Sequence, residues 1–326
     1  MHTQKRTLSH ELLLFEDIEK ECDKIVDKLK KTVYHQLNRR GGVVGISGGI
    51  DSSVTLALTV RALGAENVVG VILPESESSS DSEIMAKKLA KKFGIKVVIE
   101  NITPALKGFG CYSRRDSAIT NVIPEFNSDT DKSKIVIKQD IKKNIPPIHL
   151  VTVIATDGAE NSKMLPAKDY LQIVASSNFK QRSRMAMLYY HAERLYYSVI
   201  GTPNRNEVDQ GFFVKFGDGG ADVMPISNLY KTQVYQLAKF LEVPQEIIDR
   251  IPTTDTYSAE QTQEEFFFQL PYETMDLISY GLENKYSIKE IATSIKKTEE
   301  EVINISRNIE RKKKTTTYLR TNPIYF

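Results

Sequence analysis

The sequence has little of what marks disulfide-rich, membrane or nucleic-acid-binding proteins. It contains two cysteines, Cys22 and Cys111, and no tryptophan among its 326 residues, so a disulfide framework or a CxxC metal site is excluded. We see no signal peptide and no apolar run long enough to span a bilayer. A formal net charge of +2 gives no electrostatic basis for binding nucleic acid. We therefore expect a cytoplasmic protein with free thiols.

One glycine-rich segment dominates the sequence. Residues 43–46 form a short apolar run, typical of a buried parallel strand, which ends at Ser47-Gly48-Gly49. Asp51, Ser52 and Ser53 then open an apolar-periodic helix and are expected to cap its N-terminus. A strand, a glycine turn and a helix N-terminus together make an anion-binding site. The segment is not a Walker loop, because no Gly-Lys-Ser/Thr follows the glycines.

The next segments alternate between the periods of strands and helices. Residues 68–73 and 95–99 are predicted strands, and residues 81–93 are a predicted amphipathic helix that stops at Gly94. Strand, helix, strand, helix, strand is the repeating unit of a doubly wound parallel sheet with flanking helices. The sequence therefore predicts an α/β fold.

Regular periodicity then stops. Residues 103–165 are predicted to be an insertion after the third strand, with its own hairpin built from residues 134–137 and 148–155. Beyond a long helical pattern, residues 252–265 are predicted to be an exposed loop, and residues 266–326 a helical C-terminal part. No repeat or linker divides the chain, so we expect one domain over residues 1–326.

The string Ser-Gly-Gly-Ile-Asp-Ser at 47–52 resembles the pyrophosphate loop of ATP pyrophosphatases, which cleave ATP between its α- and β-phosphates. Further segments resemble motifs of ammonia-dependent NAD synthetases and occur in the same order. These segments are residues 178–185 with their paired arginines, 200–202 with Glu207, 211–222, 229–232 and 252–253. The match covers most of the chain outside the insertion.

This resemblance implies a fold and a reaction. The fold would be adenine nucleotide alpha-hydrolase-like, with an ATP site at the carboxyl edge of a parallel sheet. The reaction would be amidation of deamido-NAD to NAD with ammonia, through an acyl-adenylate that releases AMP and pyrophosphate. ATP and Mg²⁺ would be required, and a homodimer is implied.

The resemblance also implies roles for individual residues. Asp51, Glu207 and Lys231 would be catalytic, and the two carboxylates would hold Mg²⁺. Deamido-NAD would contact Arg182, Lys215, Asp222, Arg311 and Lys312. ATP would contact Gly45, Ile46, Ser47, Gly48, Gly49, Ile50, Asp51, Ser52, Thr202, Lys231 and Thr253.

Two departures keep other hypotheses open. Gln263 stands where the family has an aspartate, and Arg311-Lys312 replaces a His-Lys pair. The second hypothesis is therefore the same adenylation and amidation of a different carboxylate in a specialised biosynthetic pathway, with ammonia from a separate glutaminase. A nucleotide-binding regulator without catalysis is the third. A tRNA-modifying enzyme is the fourth, although no basic RNA-binding module is present.

Overall fold

A four-stranded parallel sheet forms the centre of the computed structural model, which describes residues 6–139, 147–254 and 256–326. The strands lie in the order β3-β2-β1-β7, and all three pairings are parallel. They are β1 (Gly42–Gly45), β2 (Val68–Ile72), β3 (Lys96–Ile99) and β7 (Ser198–Ile200). The predicted α/β parallel-sheet fold is confirmed.

Helices cover both faces of this sheet because consecutive side chains of a strand point to opposite sides. Val44 of β1 belongs to one buried cluster, together with residues of helices α1, α2, α3 and α8. Val43 belongs to a second cluster, together with residues of α4, α5 and α6. The helices of the first layer are α1 (Ile18–Lys31), α2 (Ile50–Leu63), α3 (Ser80–Phe93) and α8 (Lys231–Phe240), and those of the second are α4 (Thr103–Gly108), α5 (Cys111–Val122) and α6 (Ala167–Leu195).

The remaining helices are short or lie in the C-terminal part. They are α7 (Arg205–Gln210), α9 (Gln245–Ile248), α10 (Tyr272–Glu283), α11 (Ile288–Ser294), α12 (Glu299–Thr315) and α13 (Thr317–Arg320). Helices α10, α11 and α12 share a separate apolar cluster with Leu8 and Leu13 near the N-terminus. Within the described part of the chain, every helix is too short or too polar to cross a bilayer.

A second, antiparallel sheet follows β3 along the chain. It consists of β4 (Lys132–Lys138), β5 (Ile148–Ile154) and β6 (Glu160–Met164), and β5 is central. The first two strands correspond to the predicted hairpin, and β6 was not anticipated. Residues 140–146, part of the predicted insertion, lie outside the described residues. The apolar residues of this sheet pack against α5 and α6.

The irregularity predicted from residue 103 onward is wrong for its first part, which forms α4 and α5. Helix α5 buries Cys111, Arg115, Ala118 and Ile119, which are four, three and one residues apart and so share one face of a helix. Because Arg115 is charged, hydrophobic periodicity alone does not indicate that this face of the helix is buried. Only the tertiary structure reveals the carboxylates that neutralise it.

The prediction of an exposed loop at residues 252–265 is right in part, because the described residues of 252–262 form no helix or strand, but wrong for much of the exposure. Thr254, Tyr257, Ala259 and Gln261 are buried, since this segment packs against strand β4. Residue 255 of the predicted loop lies outside the described residues. Polar composition indicated solvent exposure, but the second sheet covers these side chains.

Candidate active site

The turn between β1 and α2 requires a glycine at its second position. Gly48 has a φ of +75°, and a Cβ there would lie 2.6 Å from the carbonyl oxygen of Ser82. Any side chain would therefore clash with the backbone of α3 as well as strain the turn. Gly49 follows in an extended conformation and is the residue that precedes the helix. Both glycines bring backbone close to the open carboxyl end of the sheet.

The expectation that Asp51, Ser52 and Ser53 cap α2 is wrong. The helix already begins at Ile50, and no side chain caps its N-terminus. Instead, the hydroxyls of Ser52 and Ser53 donate to the Gly49 carbonyl over 2.9 and 2.8 Å. Because no side chain occupies this end of the helix, its first amides remain available to an anion.

Asp51 forms an ion pair with a buried lysine. Its Oδ2 accepts a hydrogen bond from Nζ of Lys231, and its Oδ1 accepts one of 3.1 Å from Nδ2 of Asn204. Lys231 is the first residue of α8 and is fully buried. Burial alone would lower the pKa of Lys231, but the carboxylates of Asp51 and Glu207 outweigh it and leave this pKa raised. The lysine is therefore a fixed positive charge at neutral pH.

Glu207 reaches the same place through a capping box at the start of α7. Its backbone N–H donates to Oδ1 of Asn204 over 3.2 Å, and its Oε2 accepts from the Asn204 N–H over 2.9 Å. Burial, together with the negative charge of Asp51, raises the pKa of Glu207 to about 8, although Lys231 opposes the shift. Two carboxylates thus share one cation, and the cluster lacks positive charge.

The donor set suits a hard divalent cation. Asp51 and Glu207 provide carboxylate oxygens, which Mg²⁺ prefers, and the raised pKa of Glu207 indicates that a further cation would be favoured there. Among the described residues, no three His, Cys, Asp or Glu side chains cluster as a metal site. A protein with only two such ligands matches the usual Mg²⁺ site, where water and substrate phosphates complete the coordination.

A cavity of about 1080 Å³ joins this cluster to most of the other predicted site residues. Its volume is at the upper end of the range for small-molecule sites, so it offers room for more than one nucleotide. The predicted residues that line it are Gly45, Ile46, Ser47, Gly49, Ile50, Asp51, Ser52, Arg182, Thr202, Glu207, Lys215, Thr253, Arg311 and Lys312.

Three predicted site residues are not on the cavity wall. Lys231 lies behind Asp51, and Gly48 faces the backbone of α3. Asp222 instead accepts hydrogen bonds from the hydroxyl of Tyr189 (2.9 Å) and the N–H of Val199 (2.8 Å). Its carboxylate therefore ties α6 to β7, and its contact with the dinucleotide stays a prediction.

Cationic side chains gather on another wall of the cavity. Lys215 donates through Nζ to the carbonyls of Tyr318 (3.0 Å) and Thr321 (2.6 Å). Lys312 donates to the carbonyl of Phe267 over 2.5 Å. Burial, with the charge of Arg311 beside it, lowers the pKa of Lys312 to about 8. Together with Arg182, these groups give the wall a positive charge suited to a polyanionic ligand.

The sequence reasoning missed three residues at the site. Asn204 contacts Asp51 and holds Glu207, and its Asn-x-x-Glu spacing is the signature of a capping box. The Asp218 carboxylate accepts from the Val214 N–H over 2.8 Å, and burial raises its pKa to about 6. The ring of Tyr272 lies 5.1 Å from Nζ of Lys231. No local pattern predicts this last contact, because the two residues come from different helices.

Known proteins resemble this chain along nearly its whole length. The sequence profile of the NAD synthase family matches residues 21–121 and 114–323. An NH(3)-dependent NAD(+) synthetase of Mesorhizobium japonicum is 48% identical over 308 residues, which are 94% of this chain and 96% of the relative. The enzyme of the same name from Rhizobium meliloti is 46% identical, over 93% of this chain and 90% of the relative.

Solved structures share the fold. The NMN synthetase of Francisella tularensis superposes with a TM-score of 0.66 at 23% identity, over 96% of this chain and 99% of that one. An NH3-dependent NAD synthetase of Campylobacter jejuni gives a TM-score of 0.62 at 20% identity, over 96% of this chain and 100% of that one. These likenesses support the fold class derived from the strand order.

Proposed function

Since this chain belongs to the NAD synthase family, we propose that it converts deamido-NAD, ATP and ammonia into NAD, AMP and pyrophosphate. It is a carbon–nitrogen ligase, as its curated relatives are. The observation that carries the assignment is the meeting of Asp51, Lys231 and Glu207 beside the phosphate loop. The alternative of a different acid substrate is not favoured, because relatives up to 48% identical carry the NAD synthetase name.

In the first step, a carboxylate oxygen of deamido-NAD attacks the α-phosphorus of ATP. The bond to the β-phosphate oxygen breaks, pyrophosphate leaves, and a mixed acyl-phosphate anhydride forms. The amides at the start of α2 and the hydroxyls of Ser47 and Ser52 are proposed to hold the phosphates. From its buried position behind Asp51, Lys231 would hold that carboxylate and add positive charge near the phosphates. Thr202 and Thr253 would orient the nucleotide.

In the second step, ammonia attacks the acyl carbon and AMP leaves. Adenylation is needed because a free carboxylate is a poor electrophile, whereas the anhydride has a good leaving group. Ammonium has no lone pair, so it must lose one proton before the nitrogen can attack the acyl carbon. The attacking nitrogen then releases a second proton to solvent as the carboxamide forms and AMP leaves. The cationic wall with Arg182, Lys215, Arg311 and Lys312 is proposed to hold the dinucleotide phosphates while this occurs.

Mg²⁺ is proposed as the partner of the triphosphate, and Asp51 and Glu207 are the residues that would hold it. When bound, it would withdraw charge from the phosphate oxygens. In this chain the metal would also offset the carboxylate charge that raises the pKa of Glu207. The proposed location is the cytoplasm, consistent with two buried, free cysteines.

A homodimer is proposed as well. On α6, Tyr190 is 56% exposed, whereas Met185 and Leu188 are buried in the core. An exposed tyrosine on a helix whose other face is buried in the core fits a subunit interface. We expect light scattering after size-exclusion chromatography to report a dimer, and Tyr190→Glu to shift it towards the monomer. If the wild type were a monomer, as the variant is expected to be, this part of the proposal would be contradicted.

The central experiment incubates the purified protein with ATP, Mg²⁺, ammonium and deamido-NAD. We expect NAD, AMP and pyrophosphate in equal amounts by chromatography, and no pyrophosphate when deamido-NAD is omitted. Glutamine in place of ammonium should give no NAD, unless a separate glutaminase is added to supply ammonia. Absence of both NAD and AMP from the complete mixture would overturn the assignment.

A further inference from the structure

One wall of the cavity comes from the segment of residues 252–262, residue 255 excepted, which we term the wall segment. It contributes Thr253 and Tyr257, among others, to the lining. The segment folds back on itself, because the Thr254 N–H donates to the Gln261 carbonyl over 2.9 Å and Thr253 bridges Thr262. Thr253 is the residue of this segment proposed above to contact ATP.

Strand β4 carries the wall segment on its outer edge. Within the described ranges, β4 pairs with β5 on one side only, which would leave alternate backbone groups of its other edge without partners. Three of these groups are the carbonyls of Ser133, Ile135 and Ile137. They accept from the Ala259 N–H (3.2 Å), Nε2 of Gln261 (3.1 Å) and Nε2 of Gln269 (2.8 Å).

Among the described residues, two glutamine side chains and one backbone amide, and not a fourth strand, therefore satisfy this edge. Gln261 is only 4% exposed and does not line the cavity, so its amide can act only through the backbone that it holds. Tyr257 and Ala259 are also buried, and the ring of Tyr257 packs edge-on against that of Phe266 at 5.6 Å. Apolar burial and directed hydrogen bonds fix the same stretch of chain.

The other side of the wall segment is attached to the body of the protein. Nζ of the buried Lys180 on α6 donates to the Thr256 carbonyl over 3.1 Å. The same ammonium group pairs with Glu75 and Glu77, just beyond the carboxyl end of β2. The wall segment thus spans from the parallel sheet to the second sheet, and it crosses the cavity between them.

We propose that Gln261 and Gln269 are positioning residues for ATP binding, and that the second sheet serves to hold them. Gln261 fixes the wall segment itself to β4 and so places Thr253 against the nucleotide before it binds. Gln269 fixes the chain just beyond the segment to the same strand. Binding then needs less ordering of the chain, and the affinity for ATP is higher than it would be with a free segment. This inference rests on the proposed function in assigning ATP to the cavity.

The test compares Gln261→Met with the wild type. Methionine has a similar length and is apolar, but it cannot donate to the Ile135 carbonyl. We expect the KM for ATP to rise about fivefold to twentyfold, while kcat at saturating ATP and the KM for ammonia stay within about twofold. Gln269→Met should act in the same direction, although Gln269 also lines the cavity. Gln245→Met is the matched control, because Gln245 bonds only to Asp249 on the exposed surface.

Two further readouts separate positioning from folding and from the reaction itself. Hydrogen exchange at the Thr254 amide should accelerate in Gln261→Met and slow again with the α,β-methylene analogue of ATP. Calorimetric binding of that analogue should weaken by the same factor as KM, whether or not NAD is formed. A Gln261→Met protein that binds the analogue as tightly as the wild type would overturn the proposal, as would equal loss of kcat and stability with an unchanged KM. Failure of the wild type to make NAD would instead overturn only the proposed function.

Discussion

Two buried lysines of this protein have contrasting surroundings. Lys180 is 1% exposed and pairs with Glu75 and Glu77 over 3.0 and 2.5 Å. Arg115 adds a second cation on Glu77, at 2.6 and 2.8 Å from its two carboxylate oxygens. Lys231 is also fully buried and pairs with Asp51, but no second cation accompanies it in the arrangement of Asp51, Asn204 and Glu207 described above.

The pKa values of the carboxyl groups in the two clusters reflect this difference. Burial would raise the pKa of Glu75, but the charge of Lys180 and a hydrogen bond from Tyr112 leave it lowered. Burial and the charge of Asp51 raise the pKa of Glu207 to about 8, despite Lys231. Neither cluster is neutral, because Arg115 also pairs with Asp116 at 2.7 Å, so that the Lys180 cluster holds two cations for three carboxylates. A buried cluster that leaves the pKa of its carboxyl lowered stabilises the fold, whereas one at a cavity that leaves the pKa of its carboxyl raised is suited to binding a cation.

The largest effect should follow a change at the cluster of Lys231, Asp51 and Glu207. Asp51→Asn should lower the rate of pyrophosphate release about 10³-fold, because it removes a proposed metal ligand and the partner of Lys231. Thermal unfolding should also shift to lower temperature, because the buried Lys231 loses its partner; the protein should remain folded, since Glu207 stays as a counter-charge to Lys231. Asp23→Asn, which alters an exposed ion pair with Arg61, is the control. Full activity of Asp51→Asn would mean that Asp51 is only structural.

A change at the cluster of Lys180, Glu75 and Glu77 should affect stability. Lys180→Met leaves Glu75 and Glu77 short of a cation in a buried position, which should lower the free energy of unfolding by about 3–5 kcal/mol. Urea unfolding measures this loss, and Lys92→Met serves as the control because Lys92 pairs with Glu242 in solvent. If Lys180→Met were as stable as the wild type but inactive, the contrast between the two lysines would not hold.

The third prediction concerns pH. A carboxyl whose pKa is raised in the folded state binds more protons folded than unfolded, so its contribution to stability is lost as pH rises. For Glu207 the loss should extend from about pH 4.5 to about pH 8. Urea unfolding of the ligand-free protein should therefore show a steeper decline over this range in the wild type than in Glu207→Gln. If the stability of both proteins declined equally with pH, the raised pKa would belong to a group other than Glu207.

The smallest effect on activity is expected at Lys312, which, unlike Lys180 and Lys231, is only partly buried. Its pKa is lowered to about 8 by burial and by Arg311, so the amine loses its charge above that pH. Lys312→Met should raise the KM for deamido-NAD about tenfold, which corresponds to about 1.4 kcal/mol. The KM of the wild type should rise above pH 8, and that of the variant should not. Lys314→Met is the control, because Lys314 is exposed on the same helix and its variant should behave as the wild type does. A wild-type KM for deamido-NAD that does not change with pH would contradict the proposed role of Lys312.

Local patterns predicted the strand, the glycine turn and the helix that carry Ser47, Gly48 and Asp51, because each of these features depends on a few neighbouring residues. They did not predict α5, since its buried face includes Arg115. The capping roles predicted for Ser52 and Ser53 were also wrong, because a hydroxyl in this turn has more than one possible partner. Their hydroxyls turn back to the Gly49 carbonyl, a choice between two local partners that composition does not decide.

The sequence by itself determined the parallel α/β architecture and the phosphate loop, because periodicity and glycine placement act over short distances. The tertiary structure alone decided that Lys231 and Asn204 meet Asp51, as these residues lie more than 150 positions apart along the chain. It also decided which buried carboxyls have a lowered pKa and which a raised one. The direction of such a shift depends on every group packed around a site, and those groups come from separate helices and strands.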